Sequence, residues 1–228
     1  MSDLASRLRA LRHRIGEALL RSANPTRPVT LVAVTKGHPA ASVEEAARLG
    51  LVEIGENRVV EALAKAEQVK ASVHWHLIGH LQRNKVAKAV RLFSVVHSCD
   101  SPRLLDALGA TGVPLEVFLQ VNVSGEGSKQ GVAPEGVAGL LRAARAHPSL
   151  RVQGLMTMAP YDEDPEASRP VFRLLREIRD DLDRAGEGPP LPALSMGMSG
   201  DFEVAIEEGA THLRIGTLLM GAIAPGNG

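Results

Sequence analysis

Cysteine is nearly absent from the chain. Its 228 residues include one, Cys99, so an internal disulfide and a metal centre built on several thiolates are both excluded. Net charge is missing as well. The 26 lysines and arginines balance 26 aspartates and glutamates, which predicts neither a nucleic acid nor an anionic membrane surface as partner. No apolar run approaches the roughly 18 residues of a membrane span. The opening MSDLASRLRALRHRIGEALL carries charges throughout and lacks the apolar centre of a signal peptide. A cytoplasmic protein is the expectation. No linker and no low-complexity tract divides the chain, so residues 1–228 read as one domain, a length that α/β barrels reach as a single unit.

What is present is alternation. Leu4, Leu8, Leu11, Ile15 and Leu19 stripe a first helix over residues 1–20. Val29–Thr35 is then a nearly continuous apolar run, as in a parallel strand covered on both faces. Ser42 and Glu45 stand at capping-box spacing before a helix that stops near Gly50. The cycle repeats with strands at Val52–Ile54, Trp75–Ile78 and Phe93–His97, and with helices over 58–69 and 82–90. Ser101-Pro102 supplies an N-cap followed by proline at the first helical position. Leu115–Val123 reads as the longest strand, and a helix follows from Pro134. After Val152–Met158, Asp164-Pro165 opens the longest helix, striped by Val171, Leu174, Leu175, Ile178 and Leu182. Ala193–Met196, a helix over 200–208 and His212–Ile215 complete about eight strands, with a helix after at least seven. Such alternation predicts parallel strands joined by helical crossovers. Eight units in one chain favour a closed (β/α)8 TIM-type barrel with an extra N-terminal helix. The alternative is a doubly wound sheet, which would want a glycine-rich first turn; this chain has Thr35-Lys36-Gly37-His38-Pro39 there.

In a barrel, chemistry gathers at the carboxyl ends of the strands. Lys36 ends the first. Two readings stand: a lysine snorkelling along the rim, or an amine partly desolvated in the mouth, whose neutral form attacks an aldehyde. Ser199-Gly200 after strand seven and Gly216-Thr217 after strand eight offer backbone N–H groups and hydroxyls where this fold binds phosphate. Against that, Ser199 also suits a plain N-cap, and Asp201 and Glu203 would repel an anion unless they point away. Arg214 interrupts an apolar strand, so its permanent charge needs an acceptor, either a carboxylate or a ligand atom.

Other candidates carry less. His74, His76 and His80 cluster around strand three, yet no carboxylate stands at matching spacing for a metal site. The segment from Ser124 to Gly131 reads as a solvated loop. Met156 and Met158 read as packing residues, Cys99 as a small buried one, and Tyr161 as an ordinary loop tyrosine.

Seven segments together resemble the pyridoxal phosphate homeostasis protein family. They are Val32-Ala33-Val34-Thr35-Lys36, Ile54-Gly55-Glu56-Asn57, His76 through Lys85, Val121-Asn122-Val123 through Gly131, Gly154 through Met158, Leu194 through Ser199, and Leu213 through Thr217. They run in the family's order over nearly the whole chain. The resemblance implies a barrel like the N-terminal domain of alanine racemase, with pyridoxal 5′-phosphate (PLP) held as a covalent imine on Lys36. It implies that Ser199, Gly216 and Thr217 hold the phosphate, that Arg214 faces the pyridine nitrogen, and that Asn57 lies near the ring. One departure is visible: many members carry a second lysine two residues after the first, where this chain has His38.

PLP is the stronger electron sink when an acid partner keeps its pyridine nitrogen protonated, and an arginine there cannot accept that proton. A racemase also needs acid/base groups on both faces of its substrate, and Tyr161 matches no family motif for the second. The reading is therefore a non-catalytic carrier that stores, buffers or delivers PLP. It is expected to be a monomer that makes transient contacts with apo PLP enzymes and binds no metal, nucleic acid or membrane. Lys129 is a candidate secondary acceptor. A weak racemase-type enzyme and a sugar-phosphate aldolase using Lys36 without PLP are the rivals.

Overall fold

The computed structural model describes residues 3–125, 130–186 and 188–222. Eight parallel strands close into a barrel in chain order. They are β1 (Thr30–Val34), β2 (Glu53–Glu56), β3 (His74–Leu77), β4 (Val95–Cys99), β5 (Leu115–Gln120), β6 (Leu150–Met156), β7 (Ala193–Ser195) and β8 (His212–Ile215). The helices are α1 (Asp3–Arg21), α2 (Ala40–Arg48), α3 (Val59–Ala66), α4 (Val86–Ala89), α5 (Pro102–Gly109), α6 (Val137–Arg145), α7 (Arg169–Ala185), α8 (Phe202–Glu207) and α9 (Thr217–Met220). The predicted TIM-type barrel is thus the observed one, with a helix after each of the eight strands.

The period of two along each strand sorts side chains into two compartments. Ala33, Ile54, Trp75, Leu77, Val96, Val117, Leu119, Leu155, Leu194 and Leu213 face outward and pack under the helices in one continuous apolar core. Only Val95, Phe118, Met156 and Ala193 form a small apolar cluster apart from it. Gly154 keeps β6 close to β7, since a Cβ there would run into the Ala193 carbonyl. The N-terminal helix packs on the outside, against α8 and α9. Arg7 donates from Nε to the Leu219 carbonyl at 2.7 Å, and Arg14 forks onto Glu203 at 2.8 and 2.9 Å.

Several local expectations are corrected. Ser42 and Glu45 do not cap: α2 already starts at Ala40, because Pro39 supplies the extended N-cap backbone and its carbonyl accepts from the Ser42 N–H. The longest strand is β6, at 7 residues, rather than β5. The regular strand ends at Gln120, although the Val121 N–H still donates to the Met156 carbonyl at 2.8 Å, and Val121 also bridges to Val132. Asp164-Pro165 opens a 3-10 turn before α7, with Asp164 accepting from the Glu166 N–H, and α1 at 19 residues is longer than α7 at 17. The buried face of α7 is carried by Phe172 and Leu175, while Leu174 is exposed. The helix expected over 82–90 contracts to a 3-10 turn, Arg83–Lys85, and the four residues of α4.

Candidate functional site

Lys36 does not end β1; it stands two residues beyond, at the first corner of a tight turn. His38 N–H donates to the Thr35 carbonyl at 3.0 Å, and Gly37 at the second corner has φ of 74°. A turn with positive φ at that corner favours glycine, so the Lys36-Gly37 pair follows from the geometry that lifts the lysine over the mouth. Lys36 is exposed, as in the reading of a lysine along the rim, and the protein alone does not desolvate its amine. Directly behind it, outside the wall, the buried Glu56 carboxylate accepts from the Thr35 hydroxyl at 2.7 Å and pairs with Lys65, whose ammonium also donates to the Thr35 carbonyl at 2.6 Å. Neither Lys36 nor the Asn57 side chain has a hydrogen bond or ion pair among the described residues. Gly79, two residues beyond β3, lacks a Cβ, which would press on the Asn57 backbone.

The loops after β7 and β8 meet. Leu218 N–H donates to Ser199 Oγ at 3.3 Å, which ties the Ser199 hydroxyl to the turn bearing Gly216 and Thr217. The Ser199 and Gly200 backbone N–H groups donate to no described group. Ser199 is not the N-cap; Asp201 holds that position, and α8 has only 6 residues. The two acids are resolved separately. Glu203 turns outward to Arg14, away from the mouth. Asp201 stays, but its carboxylate accepts from Met198 N–H at 2.6 Å and from the Ser168 hydroxyl at 3.3 Å. Burial pushes its pKa up.

Arg214 is buried, and burial lowers its pKa to about 10. Its direct acceptors are a hydroxyl and a carbonyl rather than a carboxylate. Nη1 donates to Ser195 Oγ at 2.6 Å and Nη2 to the Thr157 carbonyl at 2.9 Å. Lys36, Asn57, Ser199, Arg214, Gly216 and Thr217 all line one cavity of about 450 Å³ at the carboxyl end of the barrel. All six residues expected at the site are therefore brought together there.

The remaining candidates scatter. His80 stands at the mouth near Asp100, at 3.7 Å, far from the base position of His74 and His76. Glu53 lies between those two, accepting from His74 at 3.0 Å and from His76 at 2.7 Å. No three side chains among the described residues form a metal-binding group. Met156 is buried and Met158 and Tyr161 are exposed. Cys99 is buried, with its thiol pKa pushed up by desolvation. Lys129 lies outside the described residues. Sequence reasoning missed the polar lumen: Glu53, His97, Ser195 and His212. The test that singled out Arg214, a polar residue inside an apolar strand, would also have flagged His97 and Ser195.

The comparisons agree with this geometry. The family described as alanine racemase, N-terminal domain, matches residues 6–224. The barrel is thus of the alanine racemase N-terminal class. A pyridoxal phosphate homeostasis protein of Aquifex aeolicus is 44% identical over 224 residues, covering 96% of this chain and 98% of the relative. One from Pseudomonas aeruginosa is 43% identical, covering 97% and 96%. The structure of PipY from Synechococcus elongatus with PLP bound has a TM-score of 0.84 at 34% identity, covering 96% of this chain and all of that one. An alanine racemase of Clostridium difficile, 15% identical with a TM-score of 0.70, shares the fold and is covered over 58% of its length. The chain belongs to the pyridoxal phosphate homeostasis protein family. No described helix is long and apolar enough to cross a membrane.

Proposed function

We propose that this chain binds PLP at the barrel mouth, as an imine on Lys36, and serves its storage, buffering or delivery in the cytoplasm without catalysing a reaction. The observation that carries the reading is a set of unpartnered polar groups around one cavity. The Lys36 ammonium, the Asn57 amide and the Ser199 and Gly200 N–H groups have no described protein partner, yet all four residues line the same space. A cavity of about 450 Å³ lies within the range of small-ligand sites.

The residues fit the group part by part. Ser199 and Gly200 N–H groups, with Thr217, suit a phosphate, because N–H and O–H donors stabilise an anion without a counter-cation. Arg214 has only donors, so it suits an acceptor nitrogen and holds no proton acceptor for a pyridinium. PLP, when bound, supplies a conjugated electron sink for carbanions, and an arginine opposite its nitrogen weakens that sink. A racemase reading would need a second proton-transferring group in the mouth. Tyr161, the only phenol in the chain, is 92% exposed. A monomer handing its load to apo PLP enzymes through transient contacts is the form in which this reading is most economical.

The test is borohydride reduction of PLP-treated protein followed by peptide mapping, with Lys36→Ala as control. A pyridoxyl group on Lys36 that disappears in the variant supports the reading; label scattered over surface lysines overturns it. Amino-acid turnover by the loaded protein would overturn the carrier part alone and favour the racemase-type alternative.

A further inference from the structure

The lumen contains a hydrogen-bonded chain that leads from the mouth to the opposite end of the barrel. Arg214 Nη1 meets Ser195 Oγ at 2.6 Å, Ser195 Oγ meets His97 Nδ1 at 2.8 Å, His97 Nε2 meets His76 Nδ1 at 2.9 Å, and His76 Nε2 meets Glu53 Oε2 at 2.7 Å. Five strands contribute one residue each: β8, β7, β4, β3 and β2. The Ser195–His97 link bridges opposite walls. His97 is fixed further by stacking on Phe118, with centroids 4.5 Å apart and an interplanar angle of 13°.

The two ends dictate every proton between them. A guanidinium only donates, so Ser195 Oγ accepts from Arg214. The Ser195 O–H then needs an acceptor, and His97 Nδ1 is the one in reach. Full burial holds His97 neutral, so its proton sits on Nε2 and is donated to His76 Nδ1. The His76 proton is therefore on Nε2, donated to Glu53. At the base Glu53 accepts only, its pKa lowered to about 2 first by His76 and also by His74. Any other tautomer of His97 leaves the buried serine hydroxyl without an acceptor, which is unfavourable. The order is one-way, from a buried cation to a carboxylate at the far end.

Barrel interiors are ordinarily filled by branched aliphatic side chains in layers. A polar lumen breaks that rule where no packing advantage is visible, which marks function rather than stability. We infer that Ser195, His97, His76 and Glu53 are positioning residues for Arg214, a one-way hydrogen-bonded chain that fixes the guanidinium so that its remaining N–H groups face the mouth. The inference rests on the PLP reading only for what Arg214 then addresses.

The test has two arms. The first uses the ¹⁵N-labelled full chain without PLP and reads the imidazole nitrogens by long-range ¹H–¹⁵N correlation. His76 and His97 are expected as Nε2–H tautomers; an Nδ1–H form of either in the wild type overturns the chain. Glu53→Leu removes only the terminal acceptor, at a partly exposed position; the Arg214 end still fixes both rings, so a switch of either ring to Nδ1–H in that variant would overturn the one-way order. The second arm titrates PLP by absorbance. Ser195→Ala is expected to weaken binding about tenfold and to move the absorption band of the bound cofactor, with Ser195→Thr restoring both. A folded Ser195→Ala with wild-type affinity and spectrum overturns the positioning role. If Ser195→Ala does not fold, Glu53→Leu with wild-type affinity and spectrum does the same. Wild-type protein that binds no PLP overturns the proposed function, and the tautomers then decide the chain by themselves.

Discussion

The two ends of the barrel are built on opposite principles. The base holds the larger cavity, about 580 Å³ against about 450 Å³ at the mouth, and it too is rich in polar side chains. At the base, however, those groups satisfy one another: Glu53 takes His74 and His76, Glu116 pairs with Arg151, and His212 bonds Thr211 at 2.9 Å. At the mouth, Lys36, Asn57 and the Ser199-Gly200 amides have no described partner. What sets the two cavities apart is not size but unsatisfied N–H donors. A ligand arriving at the base would have to break existing bonds, whereas one arriving at the mouth supplies missing ones.

The widest separation between the ends comes from deleting one group at each. Lys36→Ala is expected to abolish the borohydride-trapped adduct completely while changing thermal stability by no more than about 0.5 kcal/mol, because the side chain is exposed and unpaired. A drop of several kcal/mol in calorimetry would show that Lys36 has a structural partner after all. The next largest effect lies just behind it. Lys65→Met leaves the Glu56 carboxylate buried and without its cation, with Oε2 already unpartnered. The expected loss is about 3–5 kcal/mol in denaturant unfolding. The double change Glu56→Gln with Lys65→Met should recover most of it. Equal losses in the single and double variants would mean that packing, not charge, is at stake.

This contrast also explains what the sequence could and could not reveal. The barrel was legible because buried parallel strands read as short apolar runs and each is followed by a helical stripe. The mouth was legible because strand-end residues are close in sequence to those runs: Lys36 stands two residues after Val34, Asn57 follows Glu56, and Gly216 follows Ile215. The lumen was not. A period of two says that His76, His97 and Ser195 face inward, but which of them meet depends on the register of β3 against β4 for His76 and His97, and on contact across the lumen for His97 and Ser195. The Glu56–Lys65 pair was hidden for a different reason: it joins β2 to the helix directly after it, and the reach of Lys65 back to Glu56 and the Thr35 carbonyl depends on how α3 packs against the barrel. Helix starts failed where proline or a 3-10 turn set the backbone: Pro39 is itself the N-cap of α2, and Asp164 caps a 3-10 turn rather than α7.

Acid should find the base before the mouth. Burial lowers the His97 pKa well below 6.5 and that of His212 to about 4. Below pH 6.5 the unfolded chain therefore binds protons that the folded lumen refuses. Stability rises with pH wherever the unfolded state holds more protons, so it is lost as pH falls from about 6.5 toward 4. For His212 that loss reaches about 3 kcal/mol. Glu53 works the same way lower down: its stabilisation is complete above pH 4.5 and disappears as pH falls toward about 2. Unfolding midpoints measured from pH 8 to pH 4 should fall steadily, and His212→Asn should flatten the slope. A flat wild-type profile would mean that the lumen admits water and charges freely.

The smallest effect concerns the turn that carries the lysine. Gly37→Ala places a Cβ on a residue with φ of 74°, and the strain of a left-handed alanine costs about 1 kcal/mol. The strain can be borne in place or relieved by flattening the turn. Flattening would break the His38-to-Thr35 hydrogen bond and swing Lys36 away from Ser199 and Arg214, so trapping by PLP should slow several-fold while the unfolding midpoint falls by only a few degrees. If the midpoint falls and trapping keeps its wild-type rate, the lysine reaches its partner from more than one backbone geometry. The mouth would then depend on its free donors alone, and not on the turn that presents them.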